Sequence, residues 1–144
     1  MKIMRVICNS NSGKSISNRY LNLGFNVNSI FSVLIGKEYE VFAMSLWSQA
    51  LFILLADENH LPSWFPLDLF SLSNPDLPGG WSFSSDLDNA NGLQALWGYE
   101  RLITDTSHYD GLLERDPEAL RHFYEEERLH IDSGDHLPQE KMPS

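Results

Sequence analysis

His122, Glu126 and His130 are the closest this chain comes to a metal-binding or acid–base set. At i, i+4 and i+8 they share one helix face, and two imidazoles with a carboxylate are donors that zinc accepts. The His-Glu-x-x-His arrangement that gives a metalloprotease helix its paired ligands and its base does not occur. His60, His108 and His136 are scattered. The expectation is a solvated polar helix face, with no metal and no cofactor.

Nucleophilic chemistry is equally thin. Cys8, the one cysteine, follows Val6 and Ile7 in a strand-like run, where a thiol behaves as a small inert hydrophobe. No Gly-x-Ser-x-Gly elbow is present. Gly13-Lys14-Ser15 matches only the last three positions of a phosphate loop. The glycine needed five residues before Gly13, to turn the backbone around the phosphates, is Cys8. The paired carboxylates, Asp86/Asp88, Glu114/Asp116 and Glu125/Glu126/Glu127, lie in hydrophilic runs with nothing to raise a pKa into the range of a general acid. The chain is expected not to be an enzyme.

Charge says more about partners. Of the net −10, residues 1–50 carry +3 and residues 51–144 carry −13. An acidic surface repels nucleic acid and anionic lipid and attracts basic proteins. The acidic residues concentrate in Asp105–Glu127, so Asp105, Asp110, Glu114, Asp116, Glu118, Glu125 and Glu126 are the expected partner-facing carboxylates. Trp64 is either core or an exposed aromatic anchor, since large aromatics serve both.

A length of 144 residues, 42% apolar and 12% aromatic, predicts one domain, or one domain with an appendage. One cysteine excludes an internal disulfide, and the short apolar N-terminus is no signal peptide, so the expected location is the cytoplasm. Met4–Cys8 predicts a first strand, Asn9–Ser32 a loop and an irregular excursion. Tyr39–Leu46 predicts a strand, Trp47-Ser48-Gln49 a turn, Ala50–Ala56 the return strand, Asp57–Asn59 a turn and Ser63–Pro66 a short third strand. Leu67–Leu72 predicts a helical turn leading into a closing strand, and Trp81–Phe83 an edge strand. From Ser84 the pattern predicts helices: Leu93, Leu96, Trp97 and Ile103 on one face with Gly98 a weak spot, then Tyr109–Leu113, then a helix capped by Asp116-Pro117-Glu118. The composition after Leu129 predicts a disordered tail, residues 131–144.

The fold class is α+β: a small curved antiparallel sheet or SH3-like partial barrel, followed by two or three C-terminal helices. Residues 1–83 form the β domain and 84–130 a helical appendage packed on it.

Gly36-Lys37-Glu38-Tyr39-Glu40-Val41, Asp57-Glu58-Asn59, Trp64-Phe65-Pro66 and Leu69-Phe70 are similar to the pattern of small phage and bacterial SH3-like domains. Trp97-Gly98-Tyr99-Glu100-Arg101-Leu102, with His108-Tyr109, Leu112 and Phe123, resembles the C-terminal part of immunity proteins of polymorphic toxin systems. The pattern departs at His60, where glycine is common, and in the excursion of residues 9–32. The resemblance implies a cytosolic immunity protein that neutralises a cognate, basic, nuclease-type bacterial toxin by binding it. The alternative it implies is a non-enzymatic SH3-like adaptor, of phage or bacterial origin, that binds a protein or peptide.

Overall fold

The computed structural model describes residues 3–85 and 92–132. Strand β1 (Met4–Cys8) buries Met4, Val6 and Cys8 and is the middle of a three-stranded antiparallel sheet, between β2 (Glu38–Val41) and β6 (Phe70–Asn74). The apolar run after Glu38, expected to be one strand through Leu46, is two. β3 (Ala43–Trp47) begins after Phe42 and belongs to a second sheet, of five strands. Phe42 keeps its backbone bonded, its N–H donating to the Leu54 carbonyl at 2.9 Å, while its ring turns to Phe123, 4.9 Å away. One residue at the corner thus lets the same run serve both sheets. The two sheets are not closed into a barrel.

β4 (Ala50–Ala56) returns from β3 through Ser48-Gln49, both at positive φ (49° and 69°). Two left-handed residues in a two-residue loop give the turn whose twist matches the flanking strands. Asp57 Oδ1 then accepts from the N–H groups of Asn59 (2.8 Å) and Leu61 (3.0 Å), a side-chain-built turn. β5 (Pro62–Pro66) follows, then a 3-10 turn at Leu67–Leu69 and β6, as the sequence predicts.

Leu93–Tyr99 is not a helix. It is strand β8, paired on one side with β3 and on the other with the edge strand β7 (Trp81–Ser84). Leu93, Leu96 and Trp97 fit a helical stripe, but a strand flanked on both sides reads as a similar apolar run, and periodicity alone does not separate the two. Gly98 is no weak spot. A Cβ there would lie 2.7 Å from the Ala43 Cβ, so glycine permits the close pairing with β3. Residue 83, the expected end of the β domain, lies within β7, and β8 beyond it pairs with β7.

Helices begin at Glu100: α2 (Glu100–Thr104), α3 (Thr106–Leu113) and α4 (Pro117–Asp132). Leu102, Leu112, Ala119 and Phe123 are buried with Phe42, Ala43, Leu54 and Leu96, so these helices cover one end of one sheet face. Gly111 lies so near Ala119 that a Cβ would be 2.8 Å from that methyl, which sets how closely α3 meets α4. Residues 131 and 132, expected to open a disordered tail, are the end of α4, and the rest of that expectation, residues 133–144, lies outside the described residues.

The excursion after β1 is irregular as expected, apart from a 3-10 turn at Gly13–Ser15 and one short helix, α1 (Asn18–Leu21). Gly13 has a packing reason in place of a phosphate: a Cβ would sit 1.8 Å from the Asn26 carbonyl oxygen. Tyr20 pins the segment to the sheet. Its hydroxyl donates to the Leu51 carbonyl (2.6 Å), and its ring meets Phe52 edge-on at 5.3 Å.

Candidate binding site: an aromatic cleft beside an acidic helix pair

Side chains of directly opposed residues share a sheet face. Ser45 lies opposite Phe52 and Leu54 opposite Trp64, so Ser45, Trp47, Phe52, Leu54 and Trp64 point to one side. The helices cover the Leu54 end. The segment after α1 brings Leu23 and Phe25 over the other end. Between them lies a cleft of about 390 Å³, closed on its helical side by Tyr109 and Leu113 of α3. Its volume is that of a ligand or side-chain pocket.

The walls are mainly aromatic. Trp47 and Phe25 stand 6.1 and 6.2 Å from Phe52, and Trp64 stands 6.1 Å from Tyr109, all at tilted or edge-on angles. Burial, and next the neighbouring Asp110, push the Tyr109 hydroxyl up to about 12, so it stays a neutral phenol. Trp64 is half-buried, with one side in the core and one on the cleft. Its Nε1–H is buried without an acceptor among the described residues, so packing alone holds the ring.

The expected partner-facing carboxylates separate into four groups. Asp105 and Asp116 are helix caps. Asp105 accepts from the N–H groups of Ser107 (3.1 Å) and His108 (3.4 Å), and Asp116 accepts from Ala119 N–H (3.3 Å). The Ser107 hydroxyl is the main reason the Asp105 carboxyl lies below its ordinary pKa. Glu118 and Glu125 are exposed but flank a cation. Glu125 meets Arg121 at 2.9 Å, and His122 lies 3.2 Å from Glu118 and 3.3 Å from Glu125. Asp110, on α3, and Glu114, its C-cap, are exposed one position on from Tyr109 and Leu113, and neither has an ion-pair partner among the described residues.

Glu126, the last of the set, points inward and corrects the expectation of a solvated His122–Glu126–His130 face. His130 is 3% exposed. Its ring stacks on Phe42 at 5.0 Å, its Nδ1 is bonded to Glu40, and its Nε2 lies 3.2 Å from Glu126. Burial opposes charge on this ring, but the hydrogen bonds to Glu126 and Glu40 and their charges outweigh it, and the pKa is pushed up to about 9. The signal was present: Ala119, Phe123, Glu126 and His130 recur at the spacing of a buried helix stripe. His108 is buried too, its Nε2 2.7 Å from the Tyr99 hydroxyl. Burial, and next the nearby His122 and Arg101, hold its pKa below the ordinary value. Among the described residues no group of His, Cys, Asp and Glu is arranged to hold a metal ion. Cys8 is buried with its thiol pKa raised by burial.

No protein-family model, no curated protein and no solved structure matches this chain. Among the described residues, no helix is long and apolar enough to cross a membrane.

Proposed function

We propose that this chain is an immunity protein, of SH3-like kind and resident in the cytosol, that neutralises a basic protein toxin by binding it. The observation that carries the reading is the set of exposed carboxylates Asp110, Glu114, Glu118 and Glu125 in the helical segment 106–132, whose first helix, α3, also walls an apolar cleft. An apolar centre with a charged surround is how protein interfaces combine affinity with steering. The net charge of −10 favours a basic protein over nucleic acid or an anionic membrane. The reading needs no catalysis: the Cys8 thiol is buried, and His108 and His130 are engaged with Tyr99 and with Glu40 and Glu126.

Co-expression tests it. The toxin domain encoded immediately upstream should arrest growth alone and cease to do so when this chain is co-produced. Continued arrest with a soluble, folded chain present would sink the reading.

The aromatic walls of the cleft favour a second reading, an SH3-like adaptor that binds a peptide, because extended proline-rich peptides dock in aromatic grooves. The adaptor would bind a proline-rich ligand whatever its charge, whereas the immunity protein requires a basic one.

A further inference from the structure

We infer that the aromatic cleft is a recognition pocket for one arginine side chain presented by the basic partner. The inference rests on the partner-binding reading and names which part of the partner enters the site.

Three observations converge on a cation with an apolar stem. The cleft is walled by the rings of Phe25, Trp47, Phe52, Trp64 and Tyr109, and ring faces attract cations while accepting aliphatic carbons. Among the described residues, no lysine or arginine lines it. The charge around its mouth is unbalanced in a specific place. On α4, Glu118 and Glu125 already share Arg121, whereas on α3, Asp110 and Glu114 have no such partner among the described residues. These two lie one position on from Tyr109 and Leu113, which line the cleft, and Leu113 is itself 54% exposed. Residues four apart lie one above the other on a helix, so the pair Asp110/Glu114 runs alongside the pair Tyr109/Leu113. The carboxylates next in sequence to two lining residues, without an ion-pair partner among the described residues, make that side of the cleft negative, which favours a cationic side chain over a neutral one.

Arginine fits this better than lysine. Its guanidinium is planar and weakly hydrated, stacks on aromatic faces and offers several donors to a carboxylate, whereas an ammonium keeps its water. The phenol of Tyr109 and the hydroxyl of Ser45 are the polar groups of the lining apart from the indole N–H groups, and both are neutral, so attraction for the charge comes from the rings and from the α3 carboxylates.

The test uses acetyl-Gly-Arg-Gly-amide as probe, with the citrulline and norleucine peptides as neutral counterparts. Binding is read from tryptophan fluorescence and from the indole and backbone NMR shifts of the intact chain. The arginine peptide should perturb Trp47, Trp64 and Tyr109 saturably and bind at least about fivefold more tightly than the citrulline peptide. Asp110→Asn/Glu114→Gln, two exposed sites that leave the fold intact, should remove that preference. Leu113→Trp should block the cleft and remove binding of every peptide. Equal binding of arginine and citrulline, shifts confined to another surface, or no binding at all would each overturn the inference. The outcome separates from that of the functional proposal. If the upstream toxin is neutralised equally well by wild type and Leu113→Trp, the cleft inference fails and the immunity reading stands. If the arginine peptide binds the cleft as described but the toxin is not neutralised, the immunity reading fails and the pocket chemistry stands.

Discussion

His130 and Glu40 form an ion pair across 90 residues of chain, fastening the last turn of α4 to β2. A protonated imidazole there also meets the negative end of the helix dipole. Its pKa rises from 6.5 in the free side chain to about 9 in the fold. The folded state therefore binds the proton more tightly, and the stability this contributes is complete below about pH 6.5 and lost as pH rises through about 9. Chemical denaturation between these limits should show stability falling by up to about 1.4 kcal/mol per pH unit. Glu40→Gln should flatten that slope; an unchanged slope would contradict the pairing.

His108 acts in the opposite sense. Its folded pKa is depressed, chiefly by burial, so its contribution is present above about pH 6.5 and declines as pH falls below it. Together the two histidines predict a stability maximum near pH 6.5. His108→Gln should shift the acid side of the profile while leaving the alkaline side, governed by His130, as it was.

Where α4 can be cut follows from the same contact. Ending the chain after Leu129 removes His130, which takes from Glu40 its ion-pair partner and from Phe42 its stacked imidazole. That chain should melt several degrees below one ending at Asp132, since about 1 kcal/mol moves the melting temperature of a small domain by some 4–8 °C. Identical melting curves for the two would show that His130 holds nothing.

Trp64 separates size from polarity. Trp64→Ala should cost about 3–5 kcal/mol, the usual loss for a large aromatic in contact with core. Trp64→Phe should cost about 1 kcal/mol or less, because it deletes a buried N–H that has no acceptor among the described residues. Thermal denaturation of the two variants gives the comparison, and equal losses would mean that the indole nitrogen is satisfied.

Gly98→Ala should be destabilising by about 1–3 kcal/mol, through the overlap with the Ala43 methyl 2.7 Å away. Ala43→Gly in the same chain should recover part of the loss, as residues in contact couple. No recovery would mean that the clash lies elsewhere.

What could be read from the sequence was local chemistry. Asp116-Pro117-Glu118 announces the start of α4 because a cap is a short-range device, and the Asp57 turn and the 3-10 turn before β6 are equally local. What could not be read was set by distant partners. Leu93–Tyr99 has helix-like spacing and becomes a strand because β3 and β7 are there to pair with it. Tyr39–Leu46 divides at Phe42 because the helices supply Phe123 for its ring. Of the candidate site, Asp110, Glu114, Glu118 and Glu125 are exposed as expected. Asp105 and Asp116 also cap helices, and Glu126 also partners His130. The cleft joins residues from Leu23 to Leu113, and no short-range pattern contains it.

Association kinetics test most directly the proposed contact between the carboxylates of α3 and α4 and a basic toxin. Stopped-flow mixing with the inactivated upstream toxin domain, at low and high salt, would compare wild type with Glu114→Lys/Glu118→Lys/Glu125→Lys. All three positions are exposed, and surface ion pairs of the kind Glu118 and Glu125 make with Arg121 add little to stability, so the variant should fold. The account predicts an association rate that falls as salt rises, and a drop of about tenfold or more on charge reversal. A rate indifferent to both salt and reversal would contradict it and leave the acidity as a device for solubility alone.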